Sequence, residues 1–162
     1  SGVSGTSGVL GVSGVSGVLG VSGVSGSSGS VGVFGADGQE LGFATDLGCY
    51  TEAVEEGLRG CRTVMLESNY DDGMILVSDY PYYLKRRIQS RSGHLSNSDC
   101  AAALPALAQN GTRNFVLGHL SQNNNLGLLA QQASEQALLQ AGLERGDFTL
   151  QIANQLSQPV LL

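Results

Sequence analysis

The chain has 162 residues, fourteen carboxylates against eight lysines and arginines, a formal net charge of −6 and a pI near 4.7. That balance excludes a domain-wide basic footprint for nucleic acid or an anionic membrane, so only a local basic patch is left to serve either. Three cysteines, Cys49, Cys61 and Cys100, fit no C-x-x-C metal spacing. With no positively charged, apolar leader in view, they point to free thiols and a cytoplasmic location.

Positions 1–36 carry no charge and no proline, and glycine holds every third place from Gly2 to Gly35, twelve in register. Strict glycine at period three is the collagen rule, but without proline nothing biases the chain toward polyproline II. The stretch is too rich in Gly and Ser for a membrane span. A flexible or poorly ordered tail, a glycine-packed assembly and irregular packing against the domain that follows all stay open. The chain divides into a low-complexity tail at 1–30 and one domain at 31–162, because about 125 residues beyond the repeat suffice for one core and not for two.

Within the domain, Val31 to Phe34 and Leu41 to Thr45 flank an Asp37-Gly38 turn and read as an antiparallel hairpin. Asp46 falls where the second strand ends, in Thr45-Asp46-Leu47-Gly48. Tyr50 to Leu58 reads as a helix capped by Thr51, with Glu52, Glu55 and Glu56 early in it. Arg62 to Leu66 is a short apolar strand that delivers Glu67-Ser68-Asn69-Tyr70-Asp71-Asp72 at its end. A helix opening at Tyr80-Pro81-Tyr82 runs through Lys85, Arg86, Arg87 and Arg91 to Gly93, and holds four of the eight basic residues within seven positions. Asn97 or Ser98 to Asn110 is a helix with Pro105 as a local flaw. Arg113 to Leu117 is a strand, Asn123 to Ala141 a longer helix, and Phe148 to Ala153 a last strand.

The two histidines stand in near copies, Gly93-His94-Leu95-Ser96-Asn97 and Gly118-His119-Leu120-Ser121-Gln122. Either alone would be read as satisfying a local hydrogen bond; two in matching contexts, one of them at a strand end, point to a shared site. Ser96 and Ser121 are each expected to cap the helix that follows. The run Lys85, Arg86, Arg87 and Arg91 leads straight into His94, so it is either an exposed helix face or a seat for a phosphodiester.

Taken in order, the Asp46 motif, Glu67-Ser68-Asn69-Tyr70-Asp71, Tyr80 to Ile88 and the two Gly-His-Leu-Ser motifs resemble the second half of metallo-β-lactamase-fold hydrolases. The resemblance is to the YycJ/WalJ-like branch, bacterial relatives of metal-dependent nucleases, and covers roughly Val31 to Ile152. It implies a partial metallo-β-lactamase (αββα) architecture of the α/β class. It also implies a dinuclear zinc or manganese centre in which Asp46 bridges the ions and His119 is the last histidine ligand of the second. By the same resemblance His94 holds substrate phosphate or the leaving group. Ser96, Asn97, Lys85, Arg86, Arg87 and Arg91 line the substrate side, and Glu67 or Asn69 stands behind the ligands. Two ligands of one ion require the Asp46 carboxylate and the His119 ring to lie within roughly 8 Å of each other even when relaxed.

The family's His-x-His-x-Asp-His motif has no counterpart here, for no histidine precedes His94. Asp46 and His119 make two protein ligands where a catalytic zinc takes three, so a full two-metal site is not expected from one copy of this chain. Half of a two-sheet sandwich would also leave an apolar sheet face open, inviting a homodimer or a missing N-terminal half. Three functions follow from this. The chain is a metal-dependent phosphodiester hydrolase of nuclease type that is inactive by itself, or a non-catalytic, self-associating interaction module, or a structural protein that works through its glycine repeat. Nucleic acid is the expected substrate, and no membrane is expected as a partner.

Overall fold

The computed structural model describes residues 30–34 and 41–153. The glycine repeat of 1–29, the Asp37-Gly38 turn and residues 154–162 lie outside the described residues, and with them most of the expected tail. Five strands form one sheet in sequence order: β1 (Ser30–Phe34), β2 (Leu41–Thr45), β3 (Thr63–Glu67), β4 (Asn114–Gly118) and β5 (Thr149–Ile152). β1 lies antiparallel on β2, in the pairing expected of a hairpin, and β2 to β5 run parallel. The helices are α1 (Glu52–Leu58), α2 (Asp72–Val77), α3 (Tyr82–Ile88), α4 (Asn97–Gln109) and α5 (Gly127–Gln140). The architecture is α/β, as expected.

Parallel neighbours need a crossover, and right-handed crossovers that all step the same way stack their helices on one face. Accordingly Ala44, Val64, Leu66, Phe115 and Leu117 of the sheet share one core cluster with Val54 and Leu58 of α1, Leu104 and Leu107 of α4, and Leu138 of α5. Each fully buried leucine there contributes about 1.5–3 kcal/mol relative to exposure. The register sets Phe43, Met65 and Val116 side by side on the opposite face, and that row is not part of the cluster. Phe43 and Met65 are half-buried and Val116 is buried, so among the described residues this row is not the open apolar face anticipated for half a sandwich. Among the described residues no helix is long and apolar enough to cross a membrane.

Four local expectations change. Asp72, read as closing a polar strand end, instead opens α2 (Asp72–Val77), because the Asp71 carboxylate accepts from the Gly73 and Met74 N–H groups. α3 stops at Ile88 rather than near Gly93, since the chain folds back and the His94 N–H donates to the Ile88 carbonyl at 2.9 Å. α5 begins at Gly127, not Asn123. Ser121 does not cap it: its hydroxyl accepts from Asn124 N–H inside the preceding turn, at 3.2 Å. In the other copy Ser96 does cap α4, accepting from the Asp99 N–H at 3.0 Å.

Candidate metal centre

Because β2, β3 and β4 are parallel, their C-terminal ends open on one edge of the sheet, where α/β folds gather polar loops. β2 ends just before Asp46, β3 at Glu67 and β4 just before His119. His94 comes from outside the sheet, and its loop is drawn in as an extra rung. Asn69 N–H donates to the Leu95 carbonyl and Asn97 N–H to the Tyr70 carbonyl, both at 2.8 Å, and Tyr70 bridges Ser96 in parallel fashion. Gly48 and Gly93 tighten the same corner. A Cβ on Gly48 would stand 2.1 Å from the Arg91 carbonyl oxygen, and one on Gly93 2.1 Å from that of Ile88. Only glycine permits backbones to approach so closely.

The centre of the arrangement is Glu67, which sequence reading set behind the site and not at its hub. Its side chain is fully buried, and one oxygen, Oε1, lies 2.8 Å from Nδ1 of His94 and 2.8 Å from Nδ1 of His119. The other oxygen accepts from the Leu47 N–H, one residue past Asp46. Burial pushes the Glu67 carboxyl above the usual carboxylate range, while the Leu47 N–H and the two imidazoles pull it back down. One buried carboxylate thus orients both rings and the Asp46 loop. The rings meet edge to face, with centroids 5.1 Å apart and planes at 74°.

Asp46 Oδ1 stands 3.7 Å from His119 Nδ1, well inside the separation that shared ligation requires. Among the described residues Asp46, His94 and His119 are the trio whose ligand atoms could hold a metal ion, all within 4.8 Å of one another. The sequence offered two such donors; the fold adds His94 as a third. Asp46 and His119 are also the only non-glycine residues described with positive φ, at 57° and 56°. Each left-handed residue costs roughly 1 kcal/mol, and such strain gathers where side-chain aim matters more than backbone comfort. Asn69 helps to hold one of them, donating its amide to the His119 carbonyl at 2.6 Å.

The trio opens on a pocket of about 550 Å³ whose walls include Asn69, Tyr80, Arg87 and Asn124. Of the four basic residues expected at the substrate, Arg87 lines this pocket. Lys85 instead donates to the Leu76 carbonyl at 2.7 Å, and Arg86 and Arg91 are exposed outside the lining. Ser96 and Asn97 are corrected more sharply. Ser96 is buried and occupied with the start of α4, while buried Asn97 accepts from Ser68 and exchanges bonds with Asn125. Neither side chain is left to meet a substrate. Asn125, missed in the sequence, donates to the carbonyls of Ser68 and Asn69 and so supports the strand end that carries Glu67. Its signal was the run Asn123-Asn124-Asn125, read as a helix start.

The relatives found for this chain agree with the motifs. Exodeoxyribonuclease YycJ of Bacillus anthracis is 33% identical over 109 residues, which are 67% of this chain and 41% of that protein. Exodeoxyribonuclease WalJ of Streptococcus pneumoniae is 35% identical over 102 residues, 63% of this chain and 38% of that protein. The chain therefore spans about two fifths of the length of these relatives. The likeness to the YycJ/WalJ-like branch that the motifs suggested is present, over part of each protein. Among solved structures, Zn(2+)-bound PqqB from Methylobacterium extorquens aligns with 76% of this chain and 44% of its own, at a TM-score of 0.42 and 20% identity. No protein-family profile matches the chain.

Proposed function

We propose that this chain carries the second half of a metallo-β-lactamase-fold hydrolase that cuts phosphodiesters in nucleic acid, and that by itself it is inactive. The observation that carries the proposal is the convergence of Asp46, His94 and His119 around buried Glu67. Two imidazoles and a carboxylate fit a divalent ion such as zinc or manganese, with a position left for water. Such an ion, when bound, supplies hydroxide near neutral pH by lowering the pKa of that water.

The chain's own residues do the rest. Where Glu67 accepts from Nδ1–H of both rings, the 2.8 Å contacts hold each imidazole in the tautomer that frees Nε2 as a ligand nitrogen. Arg87, in the pocket wall, places a fixed positive charge where a phosphodiester gains negative charge. Names of the relatives favour DNA as the polymer. Inactivity rests on the donor count, because three donors serve one ion and the two-ion site of the resembled family needs more.

The test joins this chain to the His-x-His-x-Asp-His segment of a YycJ-type relative. The joined protein should degrade DNA with zinc or manganese, lose that activity in Asp46→Ala or His119→Ala, and leave the unjoined chain inert. A folded joined protein that ignores both substitutions would contradict the proposal. So would turnover by the chain alone that needs Asp46.

A second reading, an interaction module, starts from the half-buried Phe43 and Met65 on the sheet face away from the core helices. It expects the chain to sediment as a dimer, and a monomer at all concentrations would exclude a homodimer of this kind.

A further inference from the structure

We propose that the outer surface of α2 and α3, beside the metal centre, is a stacking platform that selects a single-stranded nucleic acid and leads it into the pocket. The proposal rests on the reading of the pocket as a phosphodiester site and adds to it the form of the substrate. Leu76, Val77, Tyr82 and Tyr83 are 67% to 83% exposed, which makes them four of the seven large exposed hydrophobics among the described residues, all within one short stretch. A run of apolar surface beside a polar cleft calls for an occupant.

Charge says which occupant. The segment from Lys85 to Arg91 carries four cations and no carboxylate in a chain whose net charge is −6. Elsewhere Arg59 and Arg145 are paired with Glu56 and Glu135, and Arg113 is tied to the Ala108 and Thr112 carbonyls. Arg86, Arg87 and Arg91 belong to none of the ion pairs of the described residues. The nearby acids Asp71, which caps α2, Asp72, which accepts from Ser98, exposed Asp79, and Asp46, which lines the pocket with Arg87, oppose these cations, but none of them forms an ion pair with Arg86, Arg87 or Arg91. The patch is thus cationic and aromatic at once.

Helix spacing orders those groups. Leu84, Arg87 and Ile88 of α3 line the pocket, and Tyr83 lies one turn before Arg87, on the shoulder of that face. Tyr82 lies one turn before Arg86 and continues the surface outward. A strand leaving the pocket would meet Arg87, Tyr83, Arg86 and Tyr82 in succession, a phosphate contact alternating with a ring. Exposed tyrosine rings can stack only on bases that are themselves unstacked, which a single strand offers and a duplex hides.

The test is fluorescence anisotropy with an end-labelled oligothymidine strand and a blunt duplex of equal length, in the presence of a chelator so that metal plays no part. The single strand should bind more tightly. Tyr82→Ala and Tyr83→Ala should each weaken it by roughly tenfold, the phenylalanine variants should keep it, and Arg86→Gln should lower the salt dependence by about 0.7 in log–log slope. Equal affinity for the duplex, or alanine variants that bind as the parent does, would overturn the platform. Alanine variants that change only the sedimenting mass would also overturn it and mark the patch as a protein interface. Single-strand binding by a chain that takes up no metal would sink the hydrolase reading and leave the platform standing; metal uptake without strand binding would do the reverse.

Discussion

Glu67 is the residue on which the site turns, because a carboxylate with no exposed surface is placed so that one oxygen serves two histidines and the other holds the loop of Asp46. Removing its charge without changing its size tests that role. Glu67→Gln can still accept at one oxygen, but it no longer holds two imidazoles in the ligand tautomer with a full negative charge. Losses of this kind typically cost metal affinity about 10- to 100-fold. Calorimetric titration should show that loss for Glu67→Gln, and an affinity equal to the parent would remove Glu67 from the account. Glycine at position 48 is a second residue-scale case. A methyl there would run into the Arg91 backbone, which has no flexible end to move aside, so Gly48→Ala should destabilise the fold by roughly 1–3 kcal/mol in urea titrations.

At the scale of elements, what could be read in the sequence was what depends on local order. The strand that ends just before Asp46, the strand that delivers Glu67, the Thr51 and Ser96 caps and the break at Gly118 all follow from nearby residues. What could not be read depends on partners far away in the chain. Ser121 looked like the cap that Ser96 is, yet the loop it starts is held by long-range bonds. Asp71 N–H donates to the Asn124 carbonyl and Asn125 reaches the carbonyls of Ser68 and Asn69, so the helix starts later. α2 was missed because six residues carry too little periodicity to announce a helix, and its cap, Asp71, looked like one acid among several. That cap now makes a prediction. Asp71→Ala strips the acceptor from two N–H groups and should cost about 1 kcal/mol, read as a lower urea midpoint with an unchanged slope.

For the whole molecule, the one-sided placement of the core helices fixes where titration matters. Cys100, fully buried on α4 under the sheet, has its thiol pushed up to about 12 by desolvation from an ordinary value of 9.0. Below pH 9 that thiol is neutral in both states. Above it the unfolded chain ionises first, so stability falls as pH rises toward 12. Urea midpoints under reducing conditions should drop as pH rises from about 9 toward about 12, and Cys100→Ala should flatten that drop. The measurement closest to the central claim is a titration of the whole chain with zinc and with manganese, following bound ion per chain. One ion per chain is expected, weakened severely in Asp46→Ala, His94→Ala and His119→Ala alike. No uptake, or uptake indifferent to all three substitutions, would contradict the claim that these residues form a metal site.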